Sequence, residues 1–127
     1  MVAHAREAAP EEACGILAGM GETVTKVYEL ENAAHSPVEY RVDLKEQFRI
    51  IKEIDDQDLV ELADYHSHLA SPPYPSPTDV SQNPIGKARL VIVSLRNPDE
   101  PEIKSFFVGD GEIEEEEVRI VTAPVGD

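Results

Sequence analysis

Cysteine is almost missing from this chain. Cys14 is the only one in 127 residues, so no intramolecular disulfide can brace the fold. Positive charge is scarce as well: eleven Lys and Arg stand against twenty-six Asp and Glu, a formal net charge of -15 at pH 7. Such a surface repels phosphate backbones and anionic bilayers, which argues against nucleic acid and membrane as partners. No apolar run approaches the length of a bilayer-spanning segment. The N-terminus shows no signal-peptide pattern, so a cytoplasmic location is the default expectation. Internal repeats and linker-like stretches are absent, and so are the H-x-E and P-C-x-x-C signatures of zinc deaminases.

What is present suits a globular α/β chain. Hydrophobic residues make up 41% of the sequence, enough for one core and too little length for two, so residues 1–127 read as a single domain. Val2 to Ala9 reads as a short helix ended by Pro10. Glu12 to Met20 reads as a buried strand whose Ala13, Gly15, Ala18 and Gly19 permit close packing against a helix. After a turn at Gly21-Glu22, Thr23 to Leu30 returns as a second strand. Asn32 to Pro37 is irregular, and Glu39 to Val42 has the makings of a short strand.

Asp43 opens the main helix. Asp43 and Glu46 have capping-box spacing, and Leu44, Phe48, Ile51 and Ile54, with Ile50 alongside, have helical spacing. Asp55, Asp56 and Asp58 oppose the helix dipole at its end, where fraying is expected. Leu59 to Ser67 reads as a central strand, Pro77 to about Asn83 as a short helix, and Arg89 to Leu95 as an apolar strand central in the sheet. Ile103 to Val108 pairs through the Gly109-Asp110-Gly111 turn with an edge strand from Ile113 to Val121. Its Glu114 to Glu117 run reads as a solvated edge that blocks aggregation. The order is α-β-β-α-β-α-β-β-β: an α/β fold with a mixed, mostly antiparallel sheet and helices packed on it.

The central strand ends in His66-Ser67-His68. Strand side chains repeat every second residue, so the two imidazoles project from one face. Catalytic zinc commonly takes three protein ligands and keeps a fourth position for water. Asp79 can supply the third ligand. Ser76 before Pro77 reads as an N-cap, which puts Asp79 in the first turn of a helix, where the dipole favours its ionised form. Prolines 72, 73, 75 and 77 stiffen the bridge that carries Asp79 back over the histidines. An H-x-H pair alone is weak evidence; the capped aspartate at a fixed distance, together with a separate candidate base, makes it specific.

Pro10-Glu11-Glu12-Ala13-Cys14-Gly15, followed by H-x-H-x10-D and S-x-x-D, resembles the JAMM (MPN-plus) metallopeptidases. Met1 to Arg6, Asn32 to Pro37 and Tyr74 to Val80 are similar to the actinobacterial Mec-type branch, which removes cysteine from the C-terminus of the sulfur carrier CysO. The resemblance covers nearly the whole chain. It implies the JAMM/MPN (cytidine-deaminase-like) fold, a Zn2+ cofactor held by His66, His68 and Asp79, and Glu12 as the catalytic base. Ser76 could be only the N-cap, and the resemblance further implies that it stabilises an oxyanion in addition to capping. Leu69 stands where many family members have Pro, and the chain begins where its relatives are already inside their first helix, which implies an upstream strand and half a helix.

The partner so implied is a ubiquitin-like sulfur carrier, cut after its Gly-Gly tail. Net negative charge opposes an acidic carrier at long range, and Arg41, Lys45 and Arg49 can offset it locally. Two other readings stand beside this one: a deconjugase of another ubiquitin-like modifier, and a non-catalytic MPN scaffold, although scaffolds usually lack a ligand. For Cys14, a buried small hydrophobe is favoured over a thiol nucleophile, since a neighbouring carboxylate raises a thiol's pKa. His4 and His35 read as solvated. Tyr74 either lines a substrate channel or covers the metal loop. The oligomeric state, a dimer included, stays open.

Overall fold

The structure, a computed structural model, describes residues 1–81, 88–109 and 112–120. Six strands form one sheet, crossed on its two faces by helices. In chain order the elements are α1 (Val2–Ala8), β1 (Cys14–Met20), β2 (Thr23–Leu30), α2 (Leu44–Asp56), β3 (Val60–His68), α3 (Pro77–Ser81), β4 (Ala88–Ser94), β5 (Glu102–Gly109) and β6 (Glu112–Glu116). The order across the sheet is β2-β1-β3-β4-β5-β6. Among the described residues only β3 and β4 run parallel; the other neighbours are antiparallel. A parallel pair needs a crossover, and here the crossover carries α3 to the carboxyl end of β3. The expected element order and the central β4 are as read from the sequence, and β6 is the expected edge strand, though it ends at Glu116 and residues 117–120 lie outside it. The expected end of α3 and the Asp110-Gly111 turn lie outside the described residues.

Alternation divides the core between the two faces of the sheet. Cys14, Ile16 and Ala18 of β1 meet Tyr28, Leu30 and the α2 residues Ile50 and Ile54 on one face. Leu90, Ile92, Phe106 and Val108 continue that face towards Val80 of α3. On the other face Ala5 of α1 packs on Ala13, Val93 and Leu95, beside Leu17, Ala63, Tyr65 and Val91. The chain reverses between β1 and β2 at Gly21, whose φ of 59° is in the left-handed region where a side chain is strained.

Three local expectations are corrected. Helix α2 buries Ile50 and Ile54, whereas Leu44, Phe48 and Ile51 stand out at 78%, 72% and 38% exposure. The line that meets the sheet runs through Ile50 and Ile54, and the other three lie round the helix from it. Asp43 caps α2 by accepting from the N–H groups of Lys45 and Glu46, but Glu46 does not reciprocate: its Oε1 accepts from the N–H of Glu31 at 3.1 Å. Residues 39–42 form no strand, because a side chain holds their peptide groups: Asn32 bonds the Glu39 carbonyl and the Arg41 N–H.

Small residues on β1 serve different neighbours. Ala18 and Ala13 face helices, as expected. Gly15 instead faces Tyr65, its partner across β1 and β3, and a Cβ there would run into the Tyr65 ring and the Tyr28 carbonyl. One of those obstacles is backbone and cannot swing aside. Gly15→Ala should therefore lower the unfolding free energy by about 1–3 kcal/mol in urea titration, the range of overpacked cores. An unchanged midpoint would show that the two strands separate at little cost.

Candidate metal and catalytic site

The site grows from the register of β1 on β3. Cys14 pairs with His66, and continuing that register two residues past the strand sets Glu12 across from His68. Glu12, Cys14, His66 and His68 thus share the α2 face of the sheet. Between the histidines Ser67 points the other way, where its Oγ accepts the N–H of Ala13 at 2.7 Å. That bond extends the pairing to the residue beside Glu12.

Asp79 arrives from α3. Ser76 Oγ accepts the Asp79 N–H at 3.1 Å, and Asp79 Oδ2 accepts the Ser76 N–H at 2.9 Å. Each residue caps the other, which fixes the carboxylate in the first turn. The proline bridge is anchored on the way: His68 Nδ1 meets the Pro72 carbonyl at 2.9 Å, and Ser94 Oγ donates to the Ser71 carbonyl at 2.7 Å. A carbonyl only accepts, so His68 carries its proton on Nδ1 and turns Nε2 to the site.

The three donor atoms converge. His66 Nε2 and His68 Nε2 are 3.1 Å apart, and each is 3.0 Å from Asp79 Oδ2. All three residues are buried and form a group able to hold a metal ion. Glu12 is 3% exposed, and its Oε1 has no hydrogen-bond partner among the described residues. Burial, opposed by His68 and reinforced by Asp79 and Glu39, pushes its carboxyl up to about 7. Burial also opposes the ionisation of Asp79, but bonds to His66, His68 and the Ser76 N–H outweigh it and hold that carboxyl well below the usual range. For His66, burial prevails and favours the neutral ring. For His68, burial is outweighed by Asp79 and the Pro72 carbonyl, which raise it.

The family model for prokaryotic homologs of the JAB domain matches residues 1–109. The chain belongs to that family. A CysO-cysteine peptidase of Mycobacterium tuberculosis is 42% identical over 123 residues, covering 95% of this chain and 84% of the relative. A desampylase of Pyrococcus furiosus is 32% identical over 99 residues, 78% of this chain and 68% of its own. The solution structure of a protein from Desulfitobacterium hafniense superposes with a TM-score of 0.85 at 37% identity, over 92% of this chain and 83% of that one.

In this JAB-family chain, Glu12, Ser76 and Asp79 stand around the histidine pair. The remaining candidates do not join them. His4 is half-buried rather than solvated, sharing a 2.7 Å hydrogen bond with the Tyr65 hydroxyl on the opposite face. His35 is exposed and meets Glu11 and Glu31. Tyr74 packs edge-on against Phe106, with ring centroids 5.4 Å apart. Three residues that touch the site escaped the sequence reading: Ser67, Tyr40, whose ring stacks on His66 at 4.6 Å, and Asn32, which bonds the Glu12 carbonyl. A polar residue between the two histidines is the one signal that was there to be found.

Cys14 is 1% exposed, and burial together with Glu46, Glu12 and Asp64 pushes its thiol up to about 12. Almost no thiolate then exists at neutral pH, and the thiolate is the reactive form. Iodoacetamide at pH 8 should label folded protein at least about a hundredfold more slowly than urea-unfolded protein. Comparable rates would place Cys14 in reach of solvent.

Proposed function

We propose that this chain is a zinc-dependent hydrolase, acting as a single domain. Its substrate would be the peptide or isopeptide bond after the C-terminal Gly-Gly tail of a ubiquitin-like sulfur carrier, with cysteine released. The observation that carries this reading is the convergence of His66 Nε2, His68 Nε2 and Asp79 Oδ2 within 3.0–3.1 Å, beside a buried carboxylate with an unpartnered oxygen. Neighbouring ligands around tetrahedral zinc with bonds of ~2.0–2.1 Å lie ~3.3 Å apart, a few tenths from the separations here. Two imidazoles and a carboxylate are also a donor set that zinc accepts. The mycobacterial relative supports the choice of substrate.

Zinc bound there supplies a Lewis acid and lowers the pKa of water towards ~7. The rest is the work of side chains. Glu12 lies on the same face as the ligands; it would accept a proton from the attacking water and deliver it to the leaving amine. A base poised near neutrality suits both halves of that cycle. Ser76 uses its Oγ as an acceptor for the Asp79 N–H, which leaves its own proton to donate to the carbonyl oxygen of the substrate. The Pro72 carbonyl holds His68 in the tautomer that a metal ligand requires.

The desampylase relative favours a second reading, removal of a ubiquitin-like modifier from lysine. One assay separates the two. The protein is incubated with a carrier ending in Gly-Gly-Cys and with a lysine-linked conjugate, and the products are weighed by mass spectrometry. Loss of one cysteine is expected, reduced about a thousandfold in Glu12→Gln and about a hundredfold in Ser76→Ala. Cleavage only of the lysine conjugate would select the second reading. No cleavage, with less than about a tenth of an equivalent of zinc after purification without chelator, would mark a scaffold. For Ser76, a loss limited to about 1 kcal/mol of stability would leave it a helix cap alone.

A further inference from the structure

Residues 31–42, between β2 and α2, form neither helix nor strand, yet one side chain there uses every polar atom it has. Asn32 is 5% exposed. Its Nδ2 donates to the carbonyls of Glu12 and Glu39 at 3.0 Å and of Ser36 at 3.4 Å. Its Oδ1 accepts the N–H groups of Ala34 at 3.0 Å and Arg41 at 3.1 Å. An asparagine offers two donor hydrogens and one acceptor oxygen, and both atoms are saturated here. Five backbone groups, at positions spread from Glu12 to Arg41, meet on a single amide.

The connection to Glu12 matters because Glu12 is held from two directions: its neighbour Ala13 is bonded to Ser67 of β3, and its own N–H and carbonyl are bonded by this loop. Glu12 itself precedes the first residue of β1, so no sheet ladder fixes it. Its Oε1 finds no partner among the described residues. What does grip it is the peptide on either side: the Glu12 N–H donates to the Ser36 carbonyl at 2.8 Å, and the Glu12 carbonyl accepts from Asn32. The Ser36 carbonyl is itself within reach of the Asn32 amide, so both grips trace to one side chain. The same segment lays the Tyr40 ring on His66, with centroids 4.6 Å apart and planes 22° from parallel.

We propose that Asn32 is a positioning residue for the reaction: it sets the Glu12 backbone, and with it the Glu12 carboxylate, against the metal ligands. This rests on the reading of Glu12 as the base. The carboxylate reaches its place through a backbone clamp, so a loosened clamp moves the base and leaves His68 and Asp79 where they are. His68 and Asp79 are held independently, by the Pro72 carbonyl and by Ser76.

Asn32→Asp is the sharper variant. It keeps the acceptor for Ala34 and Arg41 and replaces the donor by an oxygen facing three carbonyls. Asn32→Ala is the second, removing the clamp without repulsion, in case the first does not fold. Three quantities are read on the full chain, well below each variant's Tm: kcat and KM on the cleaved carrier, zinc affinity by competition with a chromogenic chelator, and amide hydrogen exchange at Glu12 and Ala13. Displacing a catalytic group by about an ångström costs on the order of a hundredfold, so kcat should fall about tenfold to a hundredfold. KM and zinc affinity should change less than about twofold, and exchange at Glu12 should quicken about tenfold or more while that of Leu17 stays.

An unchanged kcat in a folded variant overturns the proposal, as does an unchanged Glu12 exchange rate. So does a joint loss of kcat and zinc affinity, which would place the effect on the ligands. Should the wild-type protein cleave no carrier, the assigned function falls, and the exchange rates still decide whether Asn32 holds Glu12.

Discussion

The antiparallel pairing of β1 with β3 is the constraint from which the site follows. Its register sets Cys14 opposite His66, and the same count brings Glu12 opposite His68. Because side chains alternate, a slip of one residue would turn Glu12 away from both histidines. The fold guards that register where the ladder runs out. Ser67 takes the Ala13 N–H, the Ser67 N–H donates to the Ala13 carbonyl, and Gly15 admits the Tyr65 ring at a point where a Cβ would collide with it. Parallel β4 then forces a crossover, and the crossover delivers Asp79. Glu12, the histidine pair and Asp79 therefore come from three separate parts of the chain, yet each is placed by backbone pairing or by a cap.

The electrostatics of the site push two carboxylates apart. Asp79 sits between two imidazoles and a helix-start N–H, which keep it ionised despite burial. Glu12 is equally buried, has an unpartnered oxygen and feels Asp79 and Glu39 nearby, and its carboxyl moves up to about 7. One environment suits a ligand and the other suits a group that takes and returns protons. Burial, with Glu46, Glu12 and Asp64 around it, raises the Cys14 thiol, which suits a lone cysteine two residues from Glu12 to packing.

Much of this was legible in the sequence, for reasons that differ by residue. The helices and strands could be read because each carries its own period over several residues. His66, His68 and Asp79 could be read because strand alternation and an N-cap are local rules. Glu12 could not: an acid before a strand has no signature of its own, and it stood out only by resemblance to a family motif. Asn32 was invisible for a deeper reason. Its five partners are spread from Glu12 to Arg41, so its role exists only once β1 and β2 are paired. The same contact explains the strand wrongly expected at Glu39 to Val42. The apolar stripe Leu44, Phe48 and Ile51 misled because helical spacing gives a face and leaves open what covers it.

Zinc K-edge absorption on the reconstituted protein tests the central claim most directly. Two imidazole nitrogens and one or two oxygens at ~2.0–2.1 Å are expected, with the imidazole scattering halved in His66→Ala. A sulfur scatterer at ~2.3 Å, or an all-oxygen shell without imidazole, would contradict the convergence of His66, His68 and Asp79 on one cation.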